Sequence, residues 1–355
     1  MSLSILSMLF SENILWWYAK NKRSLPWRST RDPYKIWLSE IILQQTRVAQ
    51  GTPYYLKFIE RFPQVENLAE ADEEEVLKLW QGLGYYSRAR NLHATAKNIV
   101  ENHQGRFPES YKELIKLRGI GDYTASAIAS ICFNKAEAVV DGNVSRVLAR
   151  YFGISEPINS TRGVKYIKKL ATEVMDPANI RDYNQGIMEF GAIQCTPVNP
   201  QCSICPLHES CMAVAKNMVG SLPVKLKKAK VKKRYFNYLV GIDTANNTRI
   251  VQRTNNDIWK NLYEFPLLES DSEIDSAEVL SKCAKLLSVS DIEGIYTENT
   301  RPVVHKLSHQ HLYTRFWIVK SNDKFPQGIP INRLKEFPVP VLIADFIETF
   351  KNSYF

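Results

Sequence analysis

No stretch of this 355-residue chain approaches the roughly 18 consecutive apolar residues of a membrane span. The short apolar start, Ser2 to Phe10, has no basic region ahead of it, so it does not read as a signal peptide. Internal repeats and low-complexity tracts are missing as well. Cysteines are few, six in all, and the reducing compartment implied by the missing signal makes disulfides an unexpected use for them. A soluble cytoplasmic protein without a membrane partner is expected. What is present is 45% apolar content, enough to supply cores for two ordinary domains.

A formal charge of +9 suits a polyanionic partner. Charge alone does not establish one. Seven basic residues lie between Lys225 and Arg234, and the run reads equally well as a solvated linker or a phosphate-binding stripe.

From Ser11 to about Val219 the pattern is helical, with Asp or Ser starts and Gly or Pro stops at short intervals. Asp32-Pro33 is an N-cap and first-turn pair for a helix through Ile36, Trp37, Ile41 and Val48. Further helices are predicted at Ala71 to Trp80, Ala89 to Glu101, Ser110 to Leu117, Thr124 to Ile131 and Asn184 to Ile193. After Leu222-Pro223 the period changes. Phe236, Tyr238, Val240 and Ile242 alternate as in a strand, Asn246-Asn247 looks like a hairpin turn, and Leu312 to Val319 is β-prone. With helices at Ser276 to Leu287 and Val341 to Lys351, the second domain reads as α+β.

Four cysteines, Cys195, Cys202, Cys205 and Cys211, follow the spacing C-x6-C-x2-C-x5-C and could converge on one metal centre. Tetrahedral zinc fits that donor set as well as iron does. Cys132 and Cys283 have no partners nearby in sequence and read as core residues. Leu117 to Ala125 joins two helices through Gly119-Ile120-Gly121, where glycines let backbone amides approach a phosphate at a helix N-terminus. A plain interhelical turn is the bland reading. About twenty residues on, Asp141 precedes Gly142-Asn143 and a helical pattern, which by itself suits an N-cap.

The cysteine segment resembles the iron-sulfur loop of the endonuclease III superfamily of DNA glycosylases. This resemblance implies a 4Fe-4S cluster on the four cysteines, mostly structural, shaping a basic loop for phosphate contact. The glycine turn and the Val139 to Val144 segment resemble the helix-hairpin-helix and catalytic Asp of the same superfamily. Gly119 and Gly121 would then face DNA phosphate, Asp141 would stabilise positive charge developing on the deoxyribose, and Asn143 would orient its neighbours.

Glycosidic cleavage through an oxocarbenium-like transition state calls for two carboxyl groups in different protonation states. Glu40, on the apolar side of the helix carrying Ile36 and Trp37, is the candidate acid, because burial there should raise its pKa. Periodicity alone fits a partly exposed Glu paired with Arg47 equally well. The segment Trp37 to Thr46 is similar to the adenine-excising MutY branch, which implies that Glu40 protonates N7 of an extruded adenine. Tyr123 stands where bifunctional relatives carry a Schiff-base lysine, implying a monofunctional enzyme. T:G mismatch glycosylases share that tyrosine, and Glu40 separates this chain from them. Gln81 to Arg88 resembles the loop that inserts into the duplex, making Tyr85 a candidate wedge, Leu83 a further DNA contact and Gln45 a contact to the opposing strand. Arg28 resembles a residue lining the adenine pocket.

Trp259 to Pro266 resembles a strand found in Nudix hydrolases and in the lesion-recognition domain of the MutY branch. The acids that follow, Glu269, Asp271, Glu273, Asp275 and Glu278, lack the paired-glutamate arrangement of a Nudix metal helix, so pyrophosphohydrolase activity is not expected. His305 to His309 resembles the Phe-Ser-His hairpin that reads 8-oxoguanine, with Leu307 in place of Phe and with Ser308 and His309 as hydrogen-bonding groups. The histidines His305, His309 and His311 could also suggest a metal, but alternation on a strand fits one solvated face.

The resemblance implies a multidomain chain: an all-α helix-hairpin-helix glycosylase domain with an iron-sulfur loop, then an α+β Nudix-like domain. The all-α catalytic region would span 1–220, with a six-helix barrel over 29–134 and a cluster module from 1–28 plus 135–220. A basic linker at 221–234 and a lesion-recognition domain at 235–355 would follow. Its partner would be double-stranded DNA carrying 8-oxoguanine:A or G:A mispairs, met by a monomer in the cytoplasm, at the nucleoid in a prokaryote. The rival readings are an endonuclease III-like or T:G glycosylase, and a non-catalytic lesion-binding protein.

Overall fold

The computed structural model describes residues 3–227, 231–299 and 301–354; Lys228, Ala229 and Lys230 of the basic run lie outside the described residues. The chain divides into two compact units, Met1–Glu70 with Asn91–Lys227, and Ala71–Arg90 with Lys228–Phe355. Among the described residues no helix is long and apolar enough to cross a membrane.

The first unit is built on α1 (Leu3–Asn21), α2 (Pro33–Leu43), α3 (Val48–Arg61) and α4 (Val65–Glu70). Helix α5 (Glu73–Leu79) belongs to the second unit, and α6 (Ser87–His103) runs from the second into the first. The first unit continues with α7 (Tyr111–Leu114), α8 (Asp122–Phe133), α9 (Gly142–Tyr151), α10 (Thr161–Val174), α11 (Ile180–Glu189) and α12 (Met212–Ala215). Asp32 starts α2 by accepting a hydrogen bond from the Tyr34 amide at 2.9 Å, with Pro33 pre-set for the first turn. Small residues along α8, Ala125, Ser126, Ala127, Ala129 and Ser130, are all buried and let α2 and α11 approach it closely. Asn184 of α11 is fully buried and ties three elements together. Its amide donates to Ser130 Oγ and the Glu137 carbonyl, both at 2.8 Å, and its carbonyl oxygen accepts from the Val139 amide at 3.3 Å.

Three helices differ from the sequence expectation. The one predicted through Val48 stops at Leu43, where Gln44 leaves the helical backbone and Gln45 turns left-handed at φ +56°, and Val48 opens α3 instead. The one predicted over Ser110 to Leu117 is α-helical only at α7, and its end tightens into i→i+3 turns that lead the chain into the glycine hairpin. The one predicted through Ile193 stops being α-helical at Glu189 and widens into a π-helical turn, Phe190–Gln194, closed by the Cys195 amide on the Phe190 carbonyl at 2.8 Å.

The second unit centres on β1 (Lys232–Ile242), with the short strands β2 (Asn247–Thr248), β3 (Val251–Gln252) and β4 (Tyr263–Glu264) following before β5 (Leu267–Ser270). Helix α13 (Ser276–Leu287) leads to β6 (Ile292–Thr297), β7 (Val303–Lys306), β8 (Gln310–Ser321) and β9 (Ile329–Pro330), and α14 (Val341–Tyr354) follows. The main sheet has the order β5-β1-β8-β6, with β7 also paired to β8 and with β1 and β8 parallel. Alternation gives β1 and β8 two buried faces. Leu239, Trp317 and Val319 pack against Val279, Cys283 and Leu287 of α13, while Phe316 stacks on Phe346 of α14 with ring centroids 3.9 Å apart. The turn expected at Asn246-Asn247 forms, with Asn246 at φ +56° and Asp243 Oδ1 accepting the Ala245 and Asn247 amides. The strand beyond it is not the other half of a β1 hairpin: β2 pairs with β9.

Candidate active site

Helix α2 buries Ile36, Trp37, Ile41 and Ile42 and so turns Glu40 inward at its last turn. Tyr123, in the first turn of α8, donates its hydroxyl to Glu40 Oε2 at 2.5 Å and also lies 3.2 Å from Met188 Sδ of α11. Burial pushes the Glu40 carboxyl up to about 7 and Asp141 adds to the rise, whereas the Tyr123 hydrogen bond and the Arg28 charge oppose it. Burial and the two carboxylates hold the Tyr123 phenol well above its usual range, so it stays a neutral donor. Arg47, the alternative partner considered for Glu40, stands at the start of α3.

Asp141 caps α9, its Oδ1 accepting from the Val144 amide at 2.7 Å and its Oδ2 from Asn143 Nδ2 at 2.8 Å. Burial raises its pKa, opposed by these same hydrogen bonds and by Arg146. Capping leaves the carboxylate buried and close enough to bear on Glu40. Arg146 Nη2 donates to Asn143 Oδ1 at 2.8 Å and to the Gly191 carbonyl at 2.6 Å, and its Nε donates to the Cys195 carbonyl at 2.8 Å. Gly191 is a glycine for a reason of space, since a Cβ there would stand 2.7 Å from Asn143 Cβ.

Arg28, in the 3-10 turn Pro26–Arg28, is held by Glu189 at the end of α11: Nη1 donates to Oε1 at 3.0 Å and Nη2 to Oε2 at 2.7 Å. Arg23 grips the same carboxylate with Nε and Nη2, both at 2.7 Å. The sequence reading missed Glu189. Its neighbours one turn back, Gln185 and Gly186, form no apolar stripe that would have marked a buried, paired charge.

Gly119 has φ +76°, a backbone that side chains rarely adopt, and a Cβ there would meet Asn91 Cβ at 2.7 Å. Gly121 starts α8 with open space where a side chain would go. Lys168 and Tyr111 hold Asp122 beside this turn, at 3.0 and 2.8 Å. Gln45, just past α2, is exposed and left-handed at φ +56°.

The four cysteines of the spaced set are free and line one cavity beneath α9, together with Arg150, Tyr151 and His208. Arg150 Nη1 donates to Cys195 Sγ at 3.4 Å and to the Thr196 carbonyl at 2.7 Å, so a buried cation faces the sulfurs. Burial and the neighbouring sulfurs push the Cys205 thiol up to about 12. Four thiols lining one desolvated cavity suit a bound metal centre, which draws off their protons, better than they suit free thiols.

In the second unit, Tyr85 is 44% exposed with φ +48°, on a loop that carries Gly82 and Gly84 at φ +101° and +71°. Leu83, expected as a second contact, is 6% exposed and packs inward. Trp80 Nε1 and Arg88 Nη2 hold the Gly84 carbonyl at 3.0 and 3.1 Å. A cavity of about 350 Å³ is lined by Tyr85, Tyr86, Trp259, Leu307, Ser308 and His309, among others. Ser308 Oγ lies 3.3 Å from His309 Nδ1, and both residues are exposed at the turn between β7 and β8.

The HhH-GPD superfamily base excision DNA repair protein family matches residues 38–170, the iron-sulfur binding domain of endonuclease III matches 195–211, and the NUDIX domain matches 237–349. An adenine DNA glycosylase of Buchnera aphidicola subsp. Baizongia pistaciae is 37% identical over 88% of this chain and 87% of that protein. The adenine DNA glycosylase of Buchnera aphidicola subsp. Acyrthosiphon pisum is 33% identical over 98% of this chain and 99% of its own length. Among solved structures, a thermostable thymine-DNA glycosylase superposes with a TM-score of 0.56 at 33% identity, over 60% of this chain and 98% of that one. The fold is thus a helix-hairpin-helix glycosylase domain with an iron-sulfur loop, followed by an α+β Nudix domain.

Proposed function

This chain belongs to the family of adenine DNA glycosylases, and from that premise we propose which of its residues perform the excision and which base lies opposite the adenine. It is a DNA N-glycosylase of base excision repair whose cofactor is a 4Fe-4S cluster. The burial of Glu40 supports the reading best, because it raises this carboxyl to about 7, with Asp141 adding to the rise.

In this reading an adenine extruded from the stack meets Glu40, which donates its proton to N7 and makes the base a better leaving group. Asp141 stabilises the positive charge that grows on the sugar, with Asn143 and the Val144 amide fixing its orientation. Tyr123 cannot form a Schiff base, so the enzyme hydrolyses the bond and leaves an intact abasic strand. Arg28 lines the adenine pocket, while Gly119, Gly121, Gln45 and Tyr85 contact the duplex. The left-handed backbones at Gln45 and Tyr85 are strained for side-chain-bearing residues, as expected where a side chain is presented to a ligand. Leu83 supports the Tyr85 loop from within. Cys195, Cys202, Cys205 and Cys211 would hold the cluster, which when bound shapes the phosphate-facing loop.

The opposing base is proposed to be 8-oxoguanine or guanine, met by one copy of the chain. The cavity beside Ser308 and His309 offers hydrogen-bonding groups and aromatic faces for a purine. The functional division proposed is catalysis in 1–220 and lesion reading in 235–355. Single-turnover assays on duplexes holding 8-oxoguanine:A, G:A and G:T, with and without alkali, test this reading. Adenine release without strand breakage before alkali is expected, fastest opposite 8-oxoguanine. A preference for thymine, or breakage without alkali, contradicts it.

A further inference from the structure

Glu189 is 1% exposed, yet it carries two guanidinium groups on one carboxylate. Its five hydrogen bonds come from both forks and from the Arg23 backbone amide at 3.0 Å. Arg28 Nη1 also donates to the Arg23 carbonyl at 2.9 Å, and its guanidinium lies 5.7 Å from the Tyr18 ring. These bonds hold the Glu189 carboxyl down at about 2, so the clamp is ionised throughout the working range. A buried cluster of this kind is weak evidence for stability as such, and a role in fixing one arrangement is the better-attested use. What it fixes is Arg28, whose charge bears on Glu40.

We propose that Glu189 is a positioning residue of the excision site: it clamps Arg28 against Arg23 and balances its charge, so that Glu40 remains the proton-bearing carboxyl. The inference rests on Glu40 being the acid. The groups bearing on Glu40 are Tyr123 and, further along the same α8, Cys132, together with Asp141 ahead of α9 and Arg28 from the 3-10 turn. Around the clamp stand Tyr18 of α1 and Arg181 and Asp182 of α11. Among these, Arg28 is the cation that opposes a proton on Glu40, and Glu189 is the anion bonded to it. With a neutral side chain at 189, the Arg28 charge is uncompensated and free to turn toward Glu40, which favours the carboxylate.

The test is the pH dependence of single-turnover adenine excision for the cluster-loaded wild type, E189Q, R28Q and the double variant. The alkaline limb of E189Q is expected to move down by roughly one unit. That of R28Q moves up, and adding E189Q to R28Q moves it no further. Arg23→Gln, which leaves the Glu189–Arg28 pair intact, keeps the limb at the wild-type pH, and R28Q serves should E189Q fail to fold, because an unmoved R28Q limb overturns the proposal. A uniform loss of rate with every limb at the wild-type pH overturns the proposal, as does an equal E189Q shift with and without Arg28. Failure of the underlying reading looks different: E40Q would keep excising with its limb in place.

Discussion

The Tyr123 hydroxyl donates to Glu40 Oε2 across 2.5 Å, joining the first turn of one buried helix to the last turn of another. In the proposed function this pair sets the acid of the site. Removing the donor with Tyr123→Phe deletes a hydrogen bond that favours the carboxylate, so the alkaline limb of excision is expected to rise in pH. An unmoved limb shows that the tyrosine does not tune Glu40.

Glu40 also links stability to pH. Its pKa is higher folded, at about 7, than the ordinary 4.5, so the stability its protonated form contributes is fully present below about 4.5 and lost as pH rises through 7. E40Q keeps an acceptor for Tyr123 and does not ionise. Urea unfolding is expected to show it near wild type at pH 5 and more stable at pH 8, by on the order of 1–3 kcal/mol. An equal gap at both pH values contradicts this.

Asp141 serves as cap and as carboxylate, and Asp141→Asn separates the two. Asparagine keeps the Val144 cap through Oδ1 but loses the acceptor for Asn143 Nδ2, so unfolding stability is expected to fall by less than about 1 kcal/mol while excision falls about 10²-fold or more. Asp141→Ala loses both, with about 1 kcal/mol of stability gone. Matched rates for D141N and wild type would confine Asp141 to the cap.

The two hairpin glycines should respond differently to alanine. Gly119→Ala meets a left-handed backbone and the Asn91 side chain and is expected to destabilise by about 1 kcal/mol or more. Gly121→Ala meets nothing within the protein. Any loss of duplex affinity in G121A at unchanged stability therefore reports a phosphate lying against that turn, and equal affinity removes Gly121 from the DNA surface.

Much of the site was legible because its residues declare themselves locally. Glu40 keeps helical phase with Ile36 and Trp37, Asp141 sits in a capping sequence, and the four cysteines crowd into one short segment. Glu189 was not legible. Its arginines lie more than 160 positions away in sequence, and no local rule pairs residues at that separation. The same holds for Ala71–Arg90. Its helical pattern is plain, yet its contacts group it with the C-terminal unit through bonds such as Arg90 Nη1 to the Lys260 carbonyl at 2.8 Å. Leu83 reads as a loop residue beside exposed Tyr85, and only packing shows that it points inward. The parallel pairing of β1 with β8, some 80 residues apart, also had no signal in periodicity.

The most direct measurement is the single-turnover rate of adenine release from pH 5.5 to 9 under saturating enzyme, for wild type and E40Q on the same duplex. The expected result is a wild-type rate that falls as pH rises through about 7, and an E40Q rate lower by 10²-fold or more while duplex binding persists. A rate flat across that range, or an E40Q enzyme that still excises adenine, contradicts the assignment of Glu40 as the acid.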